Sequence, residues 1–247
     1  MTQVAQGLDQ LDRSVWNALH GPHAALAVRR GRVVTYPDDV TRFSSLPEDP
    51  TPADWDDAAS LVAGVRGDRA FLLLTGDVPE PPADWTVLVD LPGVQMVATD
   101  AVASAPDPEA VVLDLDDPSD VAAALALVER TQPGPFFERT MAMGSYLGIR
   151  REGRLVAMAG ERLHPPGAVE ISAVCTDAAW RGQGLGTRLV HAVAHGVRER
   201  GEVPFLHASA SNTGAIRLYE QLGFRLRRAT RFTALRPPAP PGATAPR

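Results

Sequence analysis

The chain contains no lysine: all 24 basic side chains among its 247 residues are arginine. Arginine stays protonated and cannot serve as an amine nucleophile. Schiff-base chemistry, a pyridoxal-phosphate lysine and the lysine of a phosphate-binding P-loop or a kinase are therefore excluded. The single cysteine, Cys175, rules out an internal disulfide and any cysteine-based zinc cluster, in keeping with a reducing compartment. Long apolar runs are missing as well. The longest, residues 121–128, is less than half of a membrane span, and residues 1–12 lack the basic start and apolar run of a signal peptide. The chain reads as soluble and cytoplasmic, with no membrane partner. Its 14 aromatic residues lie mostly inside apolar runs and form no stripe among basic clusters, so no nucleic-acid partner is expected.

What is present suffices for a buried core in one large or two small domains, with 45% hydrophobic and 22% charged residues. Charge is uneven. Residues 1–130 carry 22 acidic and 8 basic side chains, against 8 acidic and 16 basic in residues 131–247. The carboxyl-terminal part is thus the better home for an anionic ligand, and the acidity of the amino-terminal part favours a cationic acceptor. Arg225, Arg227, Arg228 and Arg231 read equally well as a solvated strand face.

Apolar patterning predicts short strands over 24–28 and 33–36 around a turn at Gly31, a helix over 54–65, and buried strands over 70–75 and 86–90. A loose segment at 101–108 marks a boundary. Beyond it come a strand over 110–115, a helix from Ser119, and a hairpin of 146–149 and 155–160 about Arg151-Glu152-Gly153. A strand over 169–176 leads through a glycine-rich stretch into a helix reaching Arg200. A strand over 204–210 and a helix opening at Asn212 follow. Strand, loop, helix, strand is a βαβ arrangement, which makes 169–176 and 204–210 parallel neighbours. The division is 1–105, 106–236, and a tail, 237–247, with five prolines and no large apolar side chain, read as disordered.

The informative stretch is Arg181-Gly182-Gln183-Gly184-Leu185-Gly186-Thr187. Three alternate glycines before an amphipathic helix leave successive N–H groups at the positive end of the helix dipole, a pyrophosphate cradle that needs no lysine. Leu185, Leu189, Val193 and Val197 supply the core-facing stripe of that helix. A dinucleotide fold would want G-x-G-x-x-G with an acidic residue closing the next strand, and Glu202 precedes a strand instead.

Residues 169–224 resemble the GCN5-related N-acetyltransferase (GNAT) superfamily, and within it the glycine N-acyltransferase-like group with an FR47-type carboxyl-terminal half. Arg181, Gly184 and Gly186 occupy the acyl-CoA signature R/Q-x-x-G-x-G/A. Asn212, Ala215, Leu218-Tyr219 and Leu222-Gly223-Phe224 repeat the family's closing pattern. The resemblance implies an α/β (α+β) GNAT fold, a mixed central sheet with helices on both faces, over 106–236. Residues 1–105 would precede it as a smaller α/β unit, read as a degenerate half of the same kind. The implied activity is N-acetyl transfer from acetyl-CoA to a primary amine by direct attack. The acceptor would be a small-molecule or amino-acid-like amine, and a homodimer is left open. The alternative is a non-catalytic acyl-CoA-binding module.

The resemblance also implies roles. Glu170, eleven residues before Arg181, stands where relatives place a catalytic base, and His207 in the next strand competes for that task. Tyr219 stands where relatives place the acid that protonates the departing thiolate. Backbone groups of Val174, Cys175 and Thr176 are expected to hold the acyl carbonyl and pantetheine arm, and Asn212 to lie near that arm or to cap its helix. Simple alternation sets Glu170, Ser172, Val174 and Thr176 on one face of the strand and Ile171, Ala173 and Cys175 on the other. Cys175 then faces the helix stripe as a small buried hydrophobe, and a bulge would reverse that parity. His191 and His195 share a polar helix face with Arg188 and Arg198, so no metal is assigned.

Overall fold

The computed structural model describes residues 8–63, 65 and 70–238. From residue 239 onward the expected tail lies outside the described residues. The first elements are α1 (Ser14–His20), the short strands β1 (Val28–Arg30), β2 (Val33–Thr35) and β3 (Ser44–Ser45), and α2 (Pro52–Val62). Thr51 and Asp54 start α2 with a capping box ahead of Pro52. Then come β4 (Leu72–Thr75), β5 (Thr86–Ala98), β6 (Val111–Val112) and α3 (Pro118–Thr131), the last capped by Asp117 accepting from the Ser119 N–H. The carboxyl-terminal run is β7 (Tyr146–Arg151), β8 (Arg154–Glu161), β9 (Ala168–Thr176), α4 (Leu185–Glu199), β10 (Val203–Ser209), α5 (Thr213–Gln221) and β11 (Phe224–Arg236).

The strands form two sheets. β1, β2 and β3 make a small antiparallel one, and the other eight run in the order β4-β11-β5-β10-β9-β8-β7-β6. The large sheet is antiparallel except where β10 runs parallel to β9, the pair joined by α4. The stripe Leu185, Leu189, Val193 and Val197 is fully buried against Val169, Ile171 and Leu206, and side chains of α5 pack into the same cluster. On the opposite face, Ala124 and Leu127 of α3 pack with Leu155 and Met158. The mixed sheet with helices on both faces is as expected.

The division at residue 105 is corrected. β5 lies between β10 and β11 and bonds antiparallel to both, and β4 pairs with the outer edge of β11. Two strands of the expected amino-terminal unit therefore belong to the main sheet, because a stretch such as 95–98 reaches its burial only between neighbours on both sides. The expected strand over 86–90 is only the first part of β5. The small sheet is tied on by a second cluster in which Val34, Tyr36 and Phe43 meet Val97 and Phe205.

Candidate active site

β9 and β10 pair over only three residues, from Ala168 with Val203 to Glu170 with Phe205. Beyond this point β10 stays with β5, through Ser209 opposite Gly93, and parts from β9. The wedge between them opens a cavity of about 690 Å³. Val174, Cys175, Thr176, Arg181, Asn212 and Tyr219 border it, so six of the expected site residues are brought together. Phe43, Phe71, Leu73, Leu91 and Phe232 close the far side as an apolar wall.

Of the glycine-rich stretch only Arg181 borders the cavity; residues 182–187 follow it outside the lining. Gly182 and Gly184 have φ of 78° and 73°, the left-handed region that side chains with a Cβ adopt only with strain. Gly184 is the N-cap of α4, so Leu185, Gly186 and Thr187 form the first turn with their N–H groups open, and Gln183 lies between the two left-handed glycines. Arg181 donates from Nε to the Thr176 carbonyl at 3.3 Å, which sets its guanidinium at the cavity mouth. These residues fit a pyrophosphate without lysine. Asn212 accepts from the Ala215 N–H at 3.1 Å, so it caps α5 and also borders the cavity.

A bulge breaks β9. Met158 faces Cys175 while Gly160 faces Ser172, and Ala173 takes a φ of 52°, a strained conformation for alanine. Alternation therefore inverts, and the expected facing is corrected. Val174 packs with Ile171 against α4, and Cys175 joins the α3 cluster. Burial pushes the Cys175 thiol up to about 11, so the sulfur stays protonated, in keeping with a small buried hydrophobe.

Glu170 and His207 meet inside the sheet. Glu170 is fully buried and does not border the cavity. Its Oε2 accepts from Arg162 Nε at 3.0 Å and its Oε1 from Arg162 Nη2 at 2.6 Å. The Leu163 N–H adds a contact at 3.3 Å and His207 Nδ1 one at 2.8 Å. Burial alone would raise this carboxyl. The Arg162 guanidinium, and then His207, prevail and hold it well below the usual carboxylate range.

The chain of contacts continues outward. Gln95 Oε1 accepts from Arg227 at 2.8 Å, so its amide nitrogen donates, to the Leu11 carbonyl at 2.9 Å and to His207 Nε2 at 3.0 Å. This network assigns the His207 proton to Nδ1, where it is donated to Glu170. Both ring nitrogens and both carboxylate oxygens are thereby engaged. Neither expected base presents a free proton-accepting atom to the cavity.

Tyr219 differs. Its ring packs edge-on to Phe224, 5.8 Å between centroids, and burial pushes its phenol up to about 12, which keeps it a proton donor across the neutral range. Arg162, Gln95 and Tyr146 are site residues that sequence reasoning missed. Arg162 stands two residues beyond Gly160 at the end of an apolar strand, and a lone arginine in that position was the available signal.

The FR47-like protein family matches residues 146–233. Among solved structures, a putative acetyltransferase of the GNAT family from Novosphingobium aromaticivorans is 41% identical, covering 92% of this chain and 98% of that one, with a TM-score of 0.80. This chain belongs to the GNAT family of acetyltransferases. The family likeness extends to the mycothiol acetyltransferase of Thermomonospora curvata, 34% identical over 110 residues. That match covers 44% of this chain but only 36% of the relative. The N-alpha-acetyltransferase RimI of Mycobacterium tuberculosis is 32% identical over 112 residues, 43% of this chain and 70% of the relative. No helix among the described residues is long and apolar enough to cross a membrane.

Proposed function

We propose that this GNAT protein transfers an acyl group, acetyl in the first instance, from coenzyme A to the primary amine of a small-molecule acceptor by direct attack. The observation that carries the reading is the wedge. It runs from Arg181, at the head of the glycine loop, past the bulged strand, to Tyr219 and the apolar wall. The N–H groups of 182–187 and Arg181 would hold the pyrophosphate, and residues 174–176 the pantetheine arm. Tyr219 would protonate the departing thiolate and recover the proton that the amine nitrogen sheds as it becomes the amide. The acceptor would enter against Phe71, Leu91 and Phe232, which suits an amine with an apolar body. Glu170, expected as the base, would act on the acceptor indirectly, by fixing Arg162. The relatives are named for different acceptors, mycothiol in one and an N-alpha position in the other, so their names do not choose between amines.

A second reading, an acyl-CoA-binding module without turnover, draws on one observation: both ring nitrogens of His207 and both oxygens of Glu170 are already bonded. Release of CoA thiol by the full chain with acetyl-CoA and a panel of primary amines separates the two. Turnover with an apolar amine is expected. Tight acetyl-CoA binding with no thiol release from any amine would leave the binding module standing.

A further inference from the structure

Arg162, Ser172 and Ala173 border the main cavity on one side and, on the other, a small internal space of about 10 Å³, room for one oxygen-sized group. Tyr146, Phe136, Thr140 and the loop residues 133–135 complete its lining. Tyr146 reaches it because Gly160 stands opposite in the register of β7 and β8. A Cβ at Gly160 would fall 2.2 Å from the tyrosine ring, so the ring lies across the bare backbone toward β9. The Tyr146 hydroxyl is fully buried and has no hydrogen-bond partner among the described residues. A buried hydroxyl without a partner is costly and rarely retained without a use. Thr140 is already occupied, since its hydroxyl donates to the Val40 carbonyl at 2.7 Å. Arg162 spends Nε and Nη2 on Glu170, which turns Nη1 away from that carboxylate. Glu170 in turn has the His207 and Leu163 N–H groups as further donors.

We propose that Arg162, Tyr146 and Ser172 form a carboxylate-reading subsite beyond the bulge, in which a carboxylate carried by one of the two substrates puts one oxygen into the small space and keeps the other in the main cavity. Arg162, Tyr146 and Ser172 line one small space, and a guanidinium with two hydroxyls is the donor set of a charge-assisted carboxylate contact. The carboxylate has two possible sources, the far end of a dicarboxylic acyl chain or the α-carboxylate of an amino-acid acceptor. The proposal rests on the acyltransferase reading, and the experiment tells failure of the one from failure of the other.

In the acceptor arm, the full chain receives acetyl-CoA with L-phenylalanine, its amide or phenethylamine. In the donor arm, it receives phenethylamine with succinyl-CoA or butyryl-CoA. CoA release gives kcat/KM, and calorimetry gives Kd for the same compounds. A carboxylate should raise kcat/KM about ten- to a hundredfold in one arm, and that arm names the source. Tyr146→Phe should erase most of the preference while Tm holds or rises, because the hydroxyl it removes has no partner to lose; Ser172→Ala provides a second variant. Equal rates with and without the carboxylate in both arms, or a preference that Tyr146→Phe leaves intact, overturns the subsite. Absence of turnover in every arm, with carboxylate-dependent binding that Tyr146→Phe abolishes, would overturn the acyltransferase reading and keep the subsite.

Discussion

Tyr219 and Glu170 are the two residues the sequence puts forward for proton transfer, and they sit in opposite circumstances. Tyr219 borders the cavity with its phenol protonated. Tyr219→Phe should lower kcat about a hundredfold and leave acyl-CoA affinity near wild type, as steady-state CoA release and calorimetry would show. Glu170 is locked in a buried ion pair, so Glu170→Gln strands the Arg162 charge and should cost about 3 kcal/mol in urea unfolding. A third residue makes stability depend on pH. Burial, with His164 nearby, pushes the His23 imidazole down to about 4. Below about pH 6.5 the unfolded chain takes up a proton that the folded chain refuses. Stability should be full above that pH and fall by about 2 to 3 kcal/mol on the way to pH 4, with a flatter profile in His23→Asn. Tyr219, Asn212 and Arg181 were legible because their motifs are short and local. Tyr146 was not, because the register shift between Ile149 and Arg150 moves it one place along β8, opposite Gly160, and Arg162 offered only a lone arginine at the end of an apolar strand.

At the scale of elements, the β9–α4–β10 unit could be read from the sequence because the glycine-rich stretch marks the start of α4 and the stripe of Leu185, Leu189, Val193 and Val197 marks its buried face. The bulge could not, since Ala173 is an ordinary residue in an unusual conformation. The glycine loop permits a direct test. Gly184 has open space where a Cβ would go, so its only requirement is conformational. Gly184→Ala should therefore cost about 1 to 2 kcal/mol of stability through backbone strain and weaken acyl-CoA binding measured by calorimetry, with no effect from crowding.

At the scale of the molecule, the uneven charge is resolved internally. Arg188 pairs with Asp107 and Glu109, Arg228 with Asp12 and Asp77, and Arg231 with Asp90, so acids of the first half neutralise arginines of the second. That pairing removes the ground for expecting a cationic acceptor, and it places the arginines of β11 in contacts that a composition count cannot show. The sheet order carries a stronger consequence. A fragment of residues 106–236 would lack the strand between β10 and β11, so it should fail to unfold cooperatively and should lose the dispersed amide spectrum of the full chain.

β5 also sets a timetable for synthesis. Its partners in the sheet leave the ribosome more than a hundred residues after it does, as Val97 pairs with Phe205 and Arg225. At elongation rates of about 5 to 20 residues per second that is a wait of about 5 to 20 s with an apolar strand unpaired on both edges. Slowed translation between residues 100 and 200 should therefore lower soluble yield, and a holdase present during synthesis should restore it.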